Sequence, residues 1–502
     1  MASINPFFSP NSGEKPWVDQ ISKTLNTQLA VTNIPPVSIF EIPKNLKAEK
    51  LEAYVPQRIG LGPNHHFQPE LYQKMEQNKL TAVKRVLQPR HIHDCQHVIV
   101  EKVKEIIPVV CACYDMYLEA DADTLAWLFA IDGMFLLDQL DAYSDHNFAI
   151  EAKDLIMLEN QIPLFVLEEI QKALIGENAQ ENYLVSKFNF FCKSHSPFIL
   201  SNEKSDINQV NHLLDYMYHS IVNNEVSNTR KVNFTDNGSD GSDPSEKDAN
   251  LELLEAVIKL ASMIPGAQPF LKIIEIIKQK FLEGTKKKET VKEIEVPSVS
   301  ELHEISRVKF RLSPGNEGIR NISFINEKER FCYLPLITLN ASSEVILRNL
   351  VAYENLMAKN SFTPGFGLEL TEYVDFMCGI IDAVKDVRLL RAEKIIEGDL
   401  GDEEIVKMFN GISRCHGKMN VESELWKTVD QLNKVYESSP RVWVKRLAEN
   451  QLRASAKIIT FLISISSVLI LIREVYMKAY GLNPPHMMLV HFIQTKLSQF
   501  FH

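Results

Sequence analysis

Apolar side chains recur every three or four residues through most of this chain, the spacing that lines one face of a helix. The pattern predicts helices over 98–117, 124–140, 163–174, 210–222, 344–357, 368–390, 403–409 and 422–436, with an entry helix over 16–30 and a long helix beginning at Pro69. β-branched and aromatic residues gather instead at 38–43 and 54–61, which read as short strands or extended loops, and at 308–312, 322–325 and 333–339, which read as a small strand cluster. Between 227 and 250 the pattern stops. Asn237-Gly-Ser-Asp-Gly-Ser-Asp-Pro-Ser245 has no apolar side chain to bury and reads as a linker. Beyond it Leu254, Ile258, Ala261 and Ile264 share a helix face, Pro265-Gly266 breaks the run, and Leu271, Ile274 and Ile277 resume it.

These shifts divide the chain into an N-terminal extension (1–35), a first helical part (36–226), the linker (227–250), an amphipathic insertion (251–296), a second helical part with the strand cluster (297–450), an apolar segment (451–476) and a tail (477–502). The run from Ile458 to Ile472 holds fifteen residues without a charge. As a helix it is roughly 22 Å long against a hydrocarbon core of roughly 30 Å, so Lys457 and Arg473 would have to snorkel. A buried core helix is the competing reading, but the near-uniform apolarity favours lipid. The expected fold class is therefore mainly α, a multi-helix globular body with a few short strands and a C-terminal transmembrane helix. Arg441, Lys445, Arg446, Arg453 and Lys457 precede the span, whereas Arg473 and Lys478 follow it. That bias expects a single-pass membrane protein with a cytosolic body, in either the plasma membrane or an endomembrane. Four glycosylation acceptor patterns, at Asn233, Asn237, Asn321 and Asn340, would matter only in a translocated body.

Composition narrows the functional classes. A hydrophobic fraction of 45% and a charged fraction of 24% exclude wholesale disorder in 502 residues. The net charge of -11 argues against a nucleic-acid partner, because Lys286-Lys-Lys288 is the main basic run and Glu283, Glu289, Glu293 and Glu295 surround it. Seven cysteines, odd in number, form no disulfide framework and read mostly as small buried hydrophobes. In His91-Ile-His-Asp-Cys-Gln-His97, His93 and His97 would share a helix face, as would His91 and Cys95. Two ligands make half a zinc site, and only Cys415-His416 could complete it through folding. No metal or other cofactor is expected.

Four blocks carry the remaining polar signal. In Asp154-Leu-Ile-Met-Leu-Glu-Asn-Gln-Ile-Pro-Leu-Phe-Val-Leu167, Asp154 can accept from free amides at a helix start, and Pro163 suits the beginning of a second helix. Glu159, Asn160 and Gln161 occupy the corner, where they can satisfy groups orphaned by two helix ends. Tyr54-Val-Pro-Gln-Arg-Ile-Gly-Leu-Gly-Pro-Asn-His-His66 sets Tyr54 and Pro56 before a tight turn in which Gly62 and Pro63 hold His65 and His66. Ile131-Asp-Gly-Met-Phe-Leu-Leu137 places Asp132 beside Gly133, whose missing side chain allows close helix approach, and Leu347-Arg-Asn-Leu-Val-Ala-Tyr-Glu354 contains Asn349 and Glu354.

In this order the four blocks resemble the plant domain-of-unknown-function 247 family, from about Ile39 to about Ile472. The family usually has an aromatic where Asn64 stands, and the stretch 227–250 matches poorly. The resemblance implies a C-terminal anchor and brings no settled activity; some relatives are associated with recognition in plants. The expectation is a membrane-anchored interaction or recognition module without catalysis, with an unidentified protein partner and the membrane as partners. One alternative is a hydrolase-like enzyme with His65 or His66 as general base and Asp132, Asp154 or Glu159 orienting it. A lipid-binding protein using 251–281 is the other.

Overall fold

The computed structural model describes residues 35–442 apart from 67–68, 88–94, 117, 119, 145–151, 177–182, 201–209, 223–295, 315–317, 361–366, 413–422 and 440, together with positions 18 and 22. The chain divides into two compact units, Met1–Asn224 with Val296–His502, and Glu225–Glu295. The second unit, which contains the linker and the amphipathic insertion expected from sequence, lies outside the described residues, as does the entry helix except for helical positions 18 and 22.

Helix α1 (Lys44–Glu49) and a 3-10 turn at Leu51–Ala53 lead into a loop that ends in the one-turn α2 (Pro63–His66). The long α3 (Pro69–Val86) follows, then a π-helical turn at Gln96–Val100 that runs into α4 (Glu101–Ala112), and then α5 (Ala122–Ser144). Helix α5 is apolar almost all round, the mark of a helix buried on several sides. It packs against α3, α4, α7 (Leu164–Ile175) and α8 (Tyr183–His195), so that Leu125, Phe129, Met134, Phe135 and Leu140 are buried. Between α5 and α8 in sequence, the one-turn α6 (Ala152–Leu155) and a 3-10 turn at Leu158–Asn160 turn the chain into α7.

Gly133 sets the distance between α5 and α7. A Cβ there would lie 2.4 Å from Cδ1 of Ile170. Because that atom ends a flexible side chain, Gly133→Ala is expected to lose no more than about 2 kcal/mol, the crowding being offset by the higher helix propensity of alanine. Gly133→Val should cost clearly more; equal urea midpoints for the two variants would count against this contact.

Helices α9 (Leu213–Val222) and α10 (Val299–Ser306) flank the undescribed 223–295 stretch. Ser298 caps α10, its Oγ accepting from the Glu301 amide at 3.3 Å. The strand cluster follows. Strand β3 (Arg330–Leu334) is central, parallel to β1 (Val308–Leu312) in the register Phe310↔Cys332 and antiparallel to β2 (Ser323–Asn326). The segment expected to be one strand over 333–339 is divided at Pro335, which has no N–H to give a ladder. Its second part is β4 (Ile337–Thr338), parallel to β5 (Ile396–Glu397). Helices α11 (Ser343–Asn360), α12 (Glu369–Ile380) and α13 (Val384–Ala392) fill the crossover between them. Helices α14 (Asp402–Gly411) and α15 (Glu424–Glu437) complete the described fold.

The single helix expected over 368–390 is two helices because Asp386 offers its backbone a better partner. Its Oδ2 accepts from the amides of Asp382 and Ala383 at 3.1 and 2.8 Å, and its Oδ1 from that of Ser300 at 2.7 Å. A second correction concerns the membrane. No helix among the described residues is long and apolar enough to cross a bilayer. The segment from Ile458 to Ile472 lies outside them, and its fifteen charge-free residues are short of a span on their own. The fold class is therefore corrected to a mainly helical body with a few short strands, and the expected transmembrane helix and single-pass localisation are withdrawn.

Candidate functional site

The polar residues of the four blocks meet in one buried network. Asp154 lies inside α6 rather than ahead of it, so its carboxylate faces another segment: Oδ2 accepts from the amides of Arg58 and Ile59 at 2.8 and 3.0 Å. Asn160 holds the same loop, its Oδ1 accepting from Leu61 N–H at 2.6 Å and its Nδ2 donating to the carbonyls of Ile59 and Asp154, each at 2.8 Å. Gln161 donates to the carbonyls of Leu155 and Met157 and accepts from Leu214 N–H at 3.0 Å, which satisfies the end of α6 and the start of α9 together. Glu159 accepts from Ile42 N–H at 2.6 Å and pairs with Lys47 at 2.7 Å. Pro163 stands immediately before α7.

The other blocks join this network from a distance in sequence. Asp132 accepts from Gly62 N–H at 2.9 Å and pairs with Lys79 at 2.6 Å, both side chains being 1% exposed. Burial pushes the Asp132 carboxyl up, and Lys79 opposes that. Gly62, at φ +70°, turns the chain beneath Tyr114, whose hydroxyl donates to the Gln161 carbonyl at 2.9 Å. Tyr54 and Pro56 are buried in the same loop. Asn349 accepts from Leu158 N–H at 3.0 Å and donates to the Ala53 carbonyl at 2.8 Å. Glu354 caps α12 by accepting from the amides of Leu370 and Thr371 at 3.0 and 2.7 Å, and it also accepts from the Tyr218 hydroxyl at 3.0 Å.

Histidines sit among these groups as neutral core residues. His65 is buried; burial, then Lys47 and Lys79, lower its pKa from 6.5 to about 4. The His66 side chain is not among those described. At His212, Nδ1 accepts from Asp215 N–H at 3.2 Å, which leaves the proton on Nε2 to be donated to the Ser38 carbonyl at 3.0 Å. Asp215 accepts from the Tyr353 hydroxyl at 2.8 Å and pairs with His219 at 3.1 Å. Burial pushes the Asp215 carboxyl up, but the His219 hydrogen bond, together with the Asn211 amide that donates to it at 2.7 Å, outweighs that and holds the carboxyl low.

A pH dependence follows. The unfolded chain binds a proton at His65 near pH 6.5, whereas the folded chain resists until about 4. Stability is thus present above 6.5 and is lost as the pH falls towards 4. Between pH 7 and pH 5, His65 alone should cost about 2 kcal/mol. Urea unfolding at both values tests this, and a His65→Gln variant should show a shallower slope.

Sequence patterns did not single out Lys47, Lys79, His212, Asp215 or Tyr353. Lys79 was legible only as one polar residue on α3, since nothing local reveals that its helix face turns inward. His91, His93, Cys415 and His416 lie outside the described residues, as do Asn233 and Asn237. Asn321 is half-buried ahead of β2. The Asn340 side chain starts α11, its Oδ1 accepting from Ser342 N–H at 2.9 Å.

Charged side chains also line a surface cleft of about 580 Å³ between α1 with its following turn, α11 and α14. Glu344 lines it, paired with Lys50 at 2.6 Å and with Arg348 at 2.9 Å. Arg348 is only 4% exposed, and its Nη2 donates to the Gly411 carbonyl at 2.5 Å. Glu52, Glu404 and Lys407 line the same cleft.

A mainly helical body tied together by a buried polar network, with a charged cleft on its surface, is the class of protein these features define. The chain belongs to the DUF247 family, plant proteins of unknown function, whose pattern it matches over residues 39–471. It is similar to the putative UPF0481 protein At3g02645 of Arabidopsis thaliana, 30% identical across 93% of this chain and 96% of that one. It is also similar to the UPF0481 protein At3g47200 of the same plant, 24% identical across 75% of this chain and 72% of the relative. No solved structure matches it.

Proposed function

We propose that this protein is a non-catalytic interaction module, a rigid helical body that presents its charged cleft to a protein partner. The supporting observation is the occupation of the acids. Asp132, Asp154, Glu159 and Glu354 are all buried, and each carboxylate accepts from backbone amides. A general base or its orienting acid needs a reacting group within reach, and these carboxylates are committed to holding the chain together. The hydrolase-like alternative would draw on the same side chains.

The test is affinity capture from plant extract with the full chain and with a variant that reverses two cleft charges, Glu52→Lys with Lys407→Glu. In parallel, purified protein is assayed against a panel of ester, amide and phosphoester substrates. A stoichiometric protein partner that is lost from the variant, with no turnover, is the expected result. Turnover that disappears in His65→Gln would overturn the reading in favour of an enzyme, and a partner set indifferent to the cleft charges would overturn the role of the cleft.

A further inference from the structure

We propose that the outer face of the β1–β3–β2 sheet binds a neutral oligosaccharide. Strand alternation divides the side chains of this sheet between two faces. Val308, Phe310, Cys332 and Leu334 are buried on the inner one. On the outer one the register sets Lys309 of β1, Phe331 of β3 and Ile325 of β2 in one row, and Arg311, Tyr333 and Ser323 in the next. All six are exposed or half-buried, so this face is open to solvent. It shares no residue with the charged cleft, and the inference stands apart from the interaction-module reading.

The centre of the face is aromatic and its rim is charged in both signs. The rings of Phe331 and Tyr333 lie 6.1 Å apart. Lys309 pairs with Glu329 at 3.0 Å and stands 5.7 Å from the centre of the Phe331 ring, and Arg311 pairs with Glu393 at 2.5 Å. These four charged side chains are 37–56% exposed. Ion pairs this open contribute little to stability, so their members can turn to a ligand at small cost. Two cations balance two carboxylates, and the face attracts neither a polyanion nor a polycation.

A sugar ring matches both parts. Its C–H face is apolar and can lie on an aromatic ring, while each hydroxyl donates as well as accepts and so uses the carboxylates and the cations together. Two other ligands that stack on aromatic rings fit less well. The phosphates of a single-stranded nucleic acid would meet Glu329 and Glu393 on a chain of net charge -11. A proline-rich peptide brings carbonyl acceptors but few N–H donors, and would leave both carboxylates unmatched.

The experiment is affinity electrophoresis of the full chain in native gels that contain a soluble β-glucan, a xylan or a galactomannan. At least one of these neutral polymers is expected to retard the protein. The association constant should fall at least fivefold in Tyr333→Thr, and again in a separate double variant, Glu329→Ala with Glu393→Ala. Threonine suits a strand and both glutamates are at the surface, so an unchanged melting temperature verifies each fold. No retardation by any of the three polymers, or retardation indifferent to both variants, would overturn the proposal. Binding of oligo-dT or of a proline-rich peptide that depends on Tyr333, without binding of the polysaccharides, would also overturn it and assign the face to that ligand.

Discussion

Asp132→Ala is expected to lower the unfolding free energy by about 3–5 kcal/mol, because it leaves a buried ammonium without its counter-charge. Lys79 is 1% exposed, and the other carboxylate near it, that of Glu76, is 3.6 Å away and 43% exposed. The Gly62 amide loses its acceptor in the same step, a second cost of about 1–3 kcal/mol that overlaps the first. A double variant, Asp132→Leu with Lys79→Met, removes both charges and should recover much of the loss. Urea unfolding of the two single variants and the double variant closes a mutant cycle. A loss below about 1 kcal/mol in Asp132→Ala would mean that Lys79 reaches water after all.

Gly398→Ala should be comparably severe for a different reason. Gly398 follows β5 at φ +104°, a conformation that side chains with a Cβ rarely adopt. A Cβ there would also lie 2.0 Å from the Leu339 carbonyl oxygen. The obstacle is backbone, so no rotamer change relieves it. Local strain of about 1–3 kcal/mol and overpacking of a similar size add to roughly 4 kcal/mol. The damage should centre on the β4–β5 pair, where Leu339 N–H donates to the Glu397 carbonyl at 2.9 Å. Hydrogen exchange at Leu339 should therefore accelerate; protection equal to that of the parent would contradict the clash.

Local patterns exposed much of the fold where one face of an element is apolar and the other polar. Strand β1 lies at 308–312 as its alternation predicts, and α11 and α15 fall within a few residues of their expected bounds. Other elements were obscured by competing signals. Helix α8 mixes Phe188, Phe190 and Phe191 with asparagine and serine, residues that weaken a helical reading, yet it forms because Phe188 and Phe191 are buried. Helix α10 was not expected from sequence, although Ser298 and Glu301, three residues apart, form a start signal that its short length and neighbouring strand pattern masked. Asp154, Asn160 and Gln161 were recognisable as hydrogen-bonding residues from their apolar surroundings. Their partners were not, because Arg58, Leu61 and Leu214 are remote in sequence. The cleft was harder still, since Glu52, Arg348 and Lys407 become neighbours only through the tertiary fold.

The hydrogen bond from Leu158 N–H to Asn349 spans 191 residues, and the one from Asn349 to Ala53 spans 296. During synthesis at roughly 5–20 residues per second, the corner around Leu158 waits about 10–40 s before Asn349 is made. Until then its amide has no native partner, and the surface that α11 later covers stays open to other chains. Newly made protein is therefore most exposed to misassociation in this interval, before the second half of the chain arrives to cover the corner.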